Sequence, residues 1–372
     1  TPIHISPHNS AIIYCGANVL FRSLDRGDNW QEISPDLTSR DPEKLKGNIE
    51  HCVTTTISES PLRPGVIWVG TDDGKVQLTT NGGGTWEDLT GNLAKAGAPE
   101  DYCVSRVIAS SHQDGTAYVA KTGFQRDEFT PHLYKTADFG KTWASVAGDL
   151  PKGILNVVRE DRRNPNLLFV GKETGVYVTI DGGKRWLPLK NNMPTVPVFD
   201  LLIHPRENDL VVGSHGRGIF VTDISPLQEL DEKVLAAEAH LFEVEPRICW
   251  QRRKLSELYG DRHFFGPNEP AGLAVNYYLK DKLKEPVMVV ITDPYGEEMA
   301  AIPGAASPGL HRVTWDMRKK GDKKEVPNEE EEDDWFRDAG KGLVPPGEYT
   351  VVLKAGDRQL TRRAVIREMP GL

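Results

Sequence analysis

One spaced signature recurs four times in the first half of the chain and constrains its fold more than any other feature. It reads Ser23-x-Asp25-x-Gly27-x-x-Trp30, Thr79-x-Asn81-x-Gly83-x-x-Trp86, Thr136-x-Asp138-x-Gly140-x-x-Trp143 and Thr179-x-Asp181-x-Gly183-x-x-Trp186. The tryptophans fall roughly 40 to 60 residues apart, the span of one four-stranded sheet per repeat. Each signature has the chemistry of a hairpin turn. An Asp or Asn carboxyl or amide oxygen accepts from backbone N–H groups further on, and the Gly adopts positive φ at no steric cost. A Trp just beyond the turn is large enough to wedge between neighbouring sheets. Asp25, Asn81, Asp138, Asp181 and their tryptophans are therefore expected to be structural.

Apolar runs ending in a small residue precede each signature, at 12–16, 66–70, 116–120 and 167–171, and read as buried strands. Upstream of these, 3–6, 52–58, 103–109 and 155–159 read as innermost strands. A fifth unit, 198–203, 209–213 and 219–223, lacks the signature, and 239–245 is expected to supply its outer strand. The repeats predict an all-β chain, a partial β-propeller of four to five blades over residues 1–250. The abrupt start in an inner strand is read as the C-terminal part of a longer propeller, so upstream blades are expected as partners.

Residues 227–239 have helical composition, and 251–270 read as a polar linker. Beyond it, 273–279, 287–292, 311–315, 347–354 and 362–366 alternate as strands separated by Pro/Gly turns, which predicts an immunoglobulin- or fibronectin-like β-sandwich over 271–372. An insert at 319–338 carries the acidic run Glu329 to Asp334. Its composition reads as a solvated loop, with calcium capture as the alternative.

The formal net charge of -9 argues against nucleic acid as a partner. No apolar run is long enough to span a membrane. Four cysteines do not make a disulfide scaffold for a chain this size. Cys15 reads as a small buried hydrophobe. Cys52 and Cys103 share a register in adjacent repeats and are expected near one another, with Cys249 apart. His51 beside Cys52 does not complete a metal-ligand pattern, and no metal or cofactor is expected.

The four signatures resemble the BNR/Asp-box repeats of sialidases, xyloglucanases, sortilin-type receptors and photosystem assembly factors. Ser34-Pro35-Asp36-Leu37-Thr38, Gly70-Thr71-Asp72-Asp73-Gly74, the 164–171 segment and Ser214-His215-Gly216-Arg217-Gly218 are similar to the last blades of large secreted bacterial proteins labelled BNR-repeat glycosyl hydrolases or sortilin-like. Asn276 to Lys280 and Pro346 to Thr350 extend the likeness into the sandwich. The resemblance implies a secreted, periplasmic or cell-surface protein. It leaves function open, because Asp boxes sit on scaffolds with unrelated activities. Sialidases of this kind carry an Arg-Ile-Pro sequence, which is absent here.

Blade topology nominates one face. The loops between second and third strands and the connections to the next blade open opposite the box turns, and surface loops carry most function. That face holds Asp72, Asp73, Arg126, Asp127, Glu173, His215 and Arg217, while Arg106 and Arg159 lie on inner strands. The Asp and Glu residues also fit ordinary turn chemistry. A non-catalytic interaction or glycan-binding propeller is the leading reading. A glycoside hydrolase using two carboxylates, about 5 Å apart for retention or about 6.5 to 9.5 Å for inversion, is the alternative. Sortilin-like or assembly-factor peptide binding is the third.

Overall fold

The computed structural model describes residues 1–46, 51–190, 192–249, 272–321 and 343–369. The chain divides into two compact units, Thr1–Gln228 and Glu229–Leu372. The first contains four four-stranded antiparallel sheets and one three-stranded sheet, each built from consecutive strands. Blade one is Ile3–Ile5, Ile13–Gly16, Leu20–Ser23 and Gln31–Glu32. Blade two is Thr54–Glu59, Ile67–Thr71, Val76–Thr79 and Glu87–Asp88. Cys103–Ala109, Ala117–Gly123, Glu128–Thr136 and Ala144–Ser145 form blade three, and Leu155–Glu160, Leu168–Lys172, Gly175–Thr179 and Leu187–Leu189 form blade four. Blade five stops at three strands, Val198–Ile203, Asp209–Ser214 and Ile219–Asp223.

The recurrent signature is the turn between third and fourth strands in each of the first four blades. In blade three, Asp138 Oδ1 accepts from the Thr136 hydroxyl at 2.8 Å and from Thr142 N–H at 2.9 Å, and its Oδ2 accepts from the Thr142 hydroxyl at 2.6 Å. Asn81 makes the same set in blade two, its amide nitrogen donating to the Thr85 hydroxyl at 3.0 Å. Gly83, at φ 98°, has no alternative. A Cβ there would lie 2.4 Å from the carbonyl oxygen of Ile33 in the preceding blade.

That contact shows how the box faces backward along the chain. The Trp86 indole N–H donates to Ile33 O at 3.0 Å, and the Trp186 indole to Val146 O at 3.2 Å, each in the blade before. Trp143 bonds within its own turn but meets Trp68 of blade two edge-on, with ring centroids 6.2 Å apart. Trp30 is 45% exposed, whereas Trp186 is 4% exposed.

A second set of bonds faces forward. The inner strands of blades two to five each shift register at one residue: Thr55, Ser105, Asn156 and Phe199. Such a bulge leaves its residue out of the ladder and turns it away from the sheet. The first three use this freedom alike. Thr55 Oγ1 donates to Val104 O at 2.6 Å, Ser105 Oγ to Leu155 O at 2.8 Å and Asn156 Nδ2 to Val198 O at 3.0 Å, each reaching the inner strand of the next blade. Phe199 at the same position in blade five is exposed, as are Leu202, Ile219 and Val221. Ile3, Ile5 and Leu24 are exposed on blade one.

Two expectations are corrected. The first unit ends at Gln228, so the propeller does not run to residue 250. Nor does 239–245 complete blade five: Ala239–Leu241 pairs with Leu273–Leu279 in the second unit. The expected helix over 227–239 is two short ones, Ser225–Glu229 and Glu232–Ala236, the latter capped by Asp231 accepting from Val234 N–H at 2.8 Å. The second unit is a sandwich of a three-stranded and a five-stranded sheet. Both contribute to one core, in which Trp315 meets Tyr349 edge-on at 5.4 Å. All five expected strands are present. Glu298–Gly304 is an additional one, an edge strand where Pro303 is tolerated because no further ladder needs its missing N–H. The linker at 251–270 and residues 322–338 of the acidic insert lie outside the described residues.

The Trp contrast predicts unequal costs. Trp186→Ala should destabilise by about 3 to 5 kcal/mol, and Trp30→Ala should stay within about 0.5 kcal/mol, read as urea midpoints.

The boxes also predict an acid response. The Thr142 hydroxyl and amide hold the Asp138 carboxyl below its ordinary value of 3.8. A depressed folded-state pKa adds stability that is complete above the unfolded value and lost as pH falls through the folded one. Asp138→Asn should preserve stability at neutral pH, because Asn81 already makes the same bonds. It should flatten the decline that sets in as pH falls through the unfolded-state value and on through the lower folded-state one. Denaturant midpoints across that interval check this.

Candidate functional site

The inner strands bring together a cluster that no single blade could build. Arg106 in blade three and Arg159 in blade four each place an Nη2 3.0 Å from the same oxygen, Asp200 Oδ1 in blade five. The Arg106 contact skips a blade, and only the concave inner side of the arc permits that. The first unit is an arc of β-propeller blades. Asp200 follows the Phe199 bulge, and its Oδ1 also accepts from Leu201 N–H at 2.9 Å.

Arg159 is fixed by its own strand and the next. Its Nε donates to Leu201 O at 2.5 Å and its Nη1 to Val158 O at 3.2 Å. Burial pushes its guanidinium down to about 10, the Arg106 charge adds to that, and Asp200 opposes it. Arg106 is less well served, because its Nε is buried without a hydrogen-bond partner. Two cations therefore share one carboxylate that is itself 61% exposed. The positive surplus faces solvent on the inner side of the arc.

His4 of blade one borders this surplus. Burial lowers its pKa, Glu59 opposes the shift and Arg159 adds to it. Its Nε2 accepts from Glu59 N–H at 3.2 Å, so it serves as a neutral acceptor. Glu59 is nearly buried and accepts from the Tyr14 hydroxyl at 3.2 Å and Gly65 N–H at 2.9 Å.

The loop face gathers the other sequence candidates but spends most of them on backbone. Asp72 accepts from Val53 N–H at 2.9 Å and lies 3.6 Å from His51 Nδ1. Asp73 accepts from Ser39 N–H at 2.7 Å and from the Thr71 hydroxyl. Burial works against its charge, yet the Ser39 and Thr71 hydroxyls outweigh it and hold the carboxyl below the ordinary range. A general acid needs the opposite shift. Asp127 closes a short turn at φ 54°. Arg126 pairs with Asp101 and lies over the Tyr102 ring, 5.7 Å from its centroid. Glu173 acts on the buried Lys172. His215 packs on Phe199 at 5.4 Å, and Arg217 is exposed with no ion pair among the described residues, so the two do not pair with each other.

Two functional positions were invisible to the sequence pattern. Lys121 lies near the end of the second strand of blade three, Lys172 ends that of blade four, and both are fully buried. Lys121 Nζ donates to Gly74 O at 3.1 Å, Glu100 O at 3.0 Å and Pro99 O, all in the preceding blade and its connection. Burial lowers its pKa to about 8. This ammonium fixes the loop face from beneath. Only its place at the end of a buried apolar run could have signalled it, because a lysine there ordinarily marks solvent.

All four cysteines are free thiols. Cys52 sits at φ 64°, its thiol pushed up by burial first and then by the Asp73 carboxylate, while burial first and then the Asp72 charge push Cys103 up to about 12. Both thus lie by the same Asp72–Asp73 turn.

No protein-family model and no curated protein matches the chain. Among solved structures it is similar to the GH74 xyloglucanase of Xanthomonas campestris, at 13% identity over 96% of this chain and 44% of that one, with a TM-score of 0.43. The Niastella koreensis GH74 enzyme gives 12% identity, 97% and 53% coverage, and a TM-score of 0.44. YCF48 bound to a D1 peptide gives 16%, 57% and 62%, and a TM-score of 0.38. The chain spans 44% to 62% of the length of these three structures. Similarity at this level assigns no activity, and the propeller reading rests on the chain's own strands and boxes.

Proposed function

We propose that this is a non-catalytic binding propeller whose inner face takes a carboxylate-bearing ligand, with a peptide chain end as the ligand the geometry suits best. The observation that carries the reading is the convergence of Arg106 and Arg159 on the single oxygen Asp200 Oδ1. Two neighbouring guanidiniums repel one another, and one largely solvated carboxylate offsets only part of their charge. A ligand carboxylate would neutralise the remainder and meet the fork geometry that guanidinium offers. Asp200 then serves as an internal placeholder that the ligand joins or displaces. Further blades are the proposed partners of the exposed apolar faces on blades one and five, since contiguous exposed apolar surface marks an interaction site. The resemblance to exported Asp-box proteins supports an extracytoplasmic setting, and no helix among the described residues is long and apolar enough to cross a membrane.

The glycosidase reading is less well supported. Asp72 and Asp73 are committed to backbone N–H groups and hydroxyls, and Asp73 is tuned to stay charged.

The placeholder role predicts an asymmetry that a plain structural salt bridge would not give. In a peptide panel presented with free or amidated C-termini, binding should require the free carboxylate. Arg106→Gln and Arg159→Gln should each weaken it by about tenfold or more. Asp200→Asn should tighten it, because the internal competitor loses its charge. Equal binding of amidated peptides, or a loss of affinity in Asp200→Asn with an unchanged melting temperature, would count against the proposal. Preference for an acidic oligosaccharide over every peptide would keep the carboxylate site and reassign the ligand.

A further inference from the structure

We propose that the second unit carries its own ligand site, a cleft that binds a neutral oligosaccharide. The cleft has a volume of about 490 Å³, within the range of ligand pockets. It opens between the 293–297 turn and the segment 343–348 that leads into Gly347–Ala355. Its floor is apolar and closed, formed by the buried side chains of Met299, Val344 and Tyr349.

One wall is Tyr295, which is 95% exposed. A ring in that position contributes nothing to the core, yet its backbone is held firmly. Asp293 Oδ1 accepts from Tyr295 N–H at 3.0 Å and Glu297 N–H at 2.7 Å, and Gly296 at φ 85° closes the turn with its N–H on Asp293 O at 3.1 Å. A rigid turn presenting a bare aromatic face is preorganised for stacking, so little ordering remains to be done on binding. Pro345 and Pro346, which also line the cleft, have no N–H to donate, and the Pro345 carbonyl already accepts from the Tyr349 hydroxyl at 2.7 Å.

Hydrogen-bonding capacity is thus concentrated at the rim, in Glu297, Glu348 and Lys319, because Asp293 is taken up by its own turn. Each carboxylate is already neutralised, Glu297 by Lys319 at 2.5 Å and Glu348 by Arg363. Both keep acceptor lone pairs without offering net attraction to a cation. A pyranose chain complements this arrangement. Its C–H face stacks on Tyr295 and the prolines, and its hydroxyls donate to the rim. An anionic ligand would find its one lining cation, Lys319, already held by Glu297, and a purely apolar one would leave the rim unused.

The test uses the full chain, with tyrosine ring resonances followed by NMR during titration with cellohexaose, xylohexaose, mannohexaose and a proline-rich peptide. At least one hexasaccharide should shift the Tyr295 ring. Tyr295→Ala should weaken that binding by about tenfold or more, Tyr295→Trp should retain it, and Arg159→Gln should leave it unchanged. The assignment is overturned if no hexasaccharide moves the Tyr295 ring at millimolar concentration, if Tyr295→Ala binds as the parent does, or if only the peptide produces a shift.

Discussion

Every blade in the first unit depends on bonds it does not make with itself. A blade is a small sheet with two apolar faces, and neither is buried until a neighbour covers it. The chain secures that neighbour from both sides. Box tryptophans donate backward to Ile33 O and Val146 O, and bulged inner-strand residues donate forward to Val104 O, Leu155 O and Val198 O. The apolar faces supply most of the stabilisation, while the directed bonds fix which blade follows which and at what register. Lys121 and Lys172 extend the same logic to the loop face, where an ammonium rather than a hydroxyl gathers neighbouring carbonyls.

The boxes were legible in the sequence because their function is local. A turn four residues long needs its Asp, its Gly and its hydroxyl at fixed offsets, so the pattern repeats letter by letter. The bulges were not legible, although they matter as much. Thr55, Ser105, Asn156 and Phe199 share a position but not a chemistry, and their common property is a register shift that only strand pairing reveals. The axial cluster was half visible. Arg106 and Arg159 stand out as cations on inner strands, but Asp200 sits in an apolar run, and it is the bulge before it that sets its place in the strand. In the same way, 239–245 reads as one more strand in sequence order, and its true partner, Leu273–Leu279, lies across the 251–270 segment.

Carboxylates in this protein separate into two populations by what surrounds them. Asp25, Asp73 and Asp138 accept several short bonds from hydroxyls and amides and are held below their ordinary range, which suits them to fixing turns. Asp200 instead faces two guanidiniums and remains largely solvated. Turn carboxylates are saturated, and this one is not. The contrast, rather than the mere presence of acidic residues on an exposed face, is what separates scaffold from candidate site.

The backward tryptophan and the forward bulge also give the arc a direction. Its two ends are not equivalent: blade one presents an unused indole, Trp30, and blade five an unused bulge residue, Phe199. Like a strip of interlocking tiles with a tongue on one side and a socket on the other, such an assembly can be lengthened or shortened only by whole units added in one orientation.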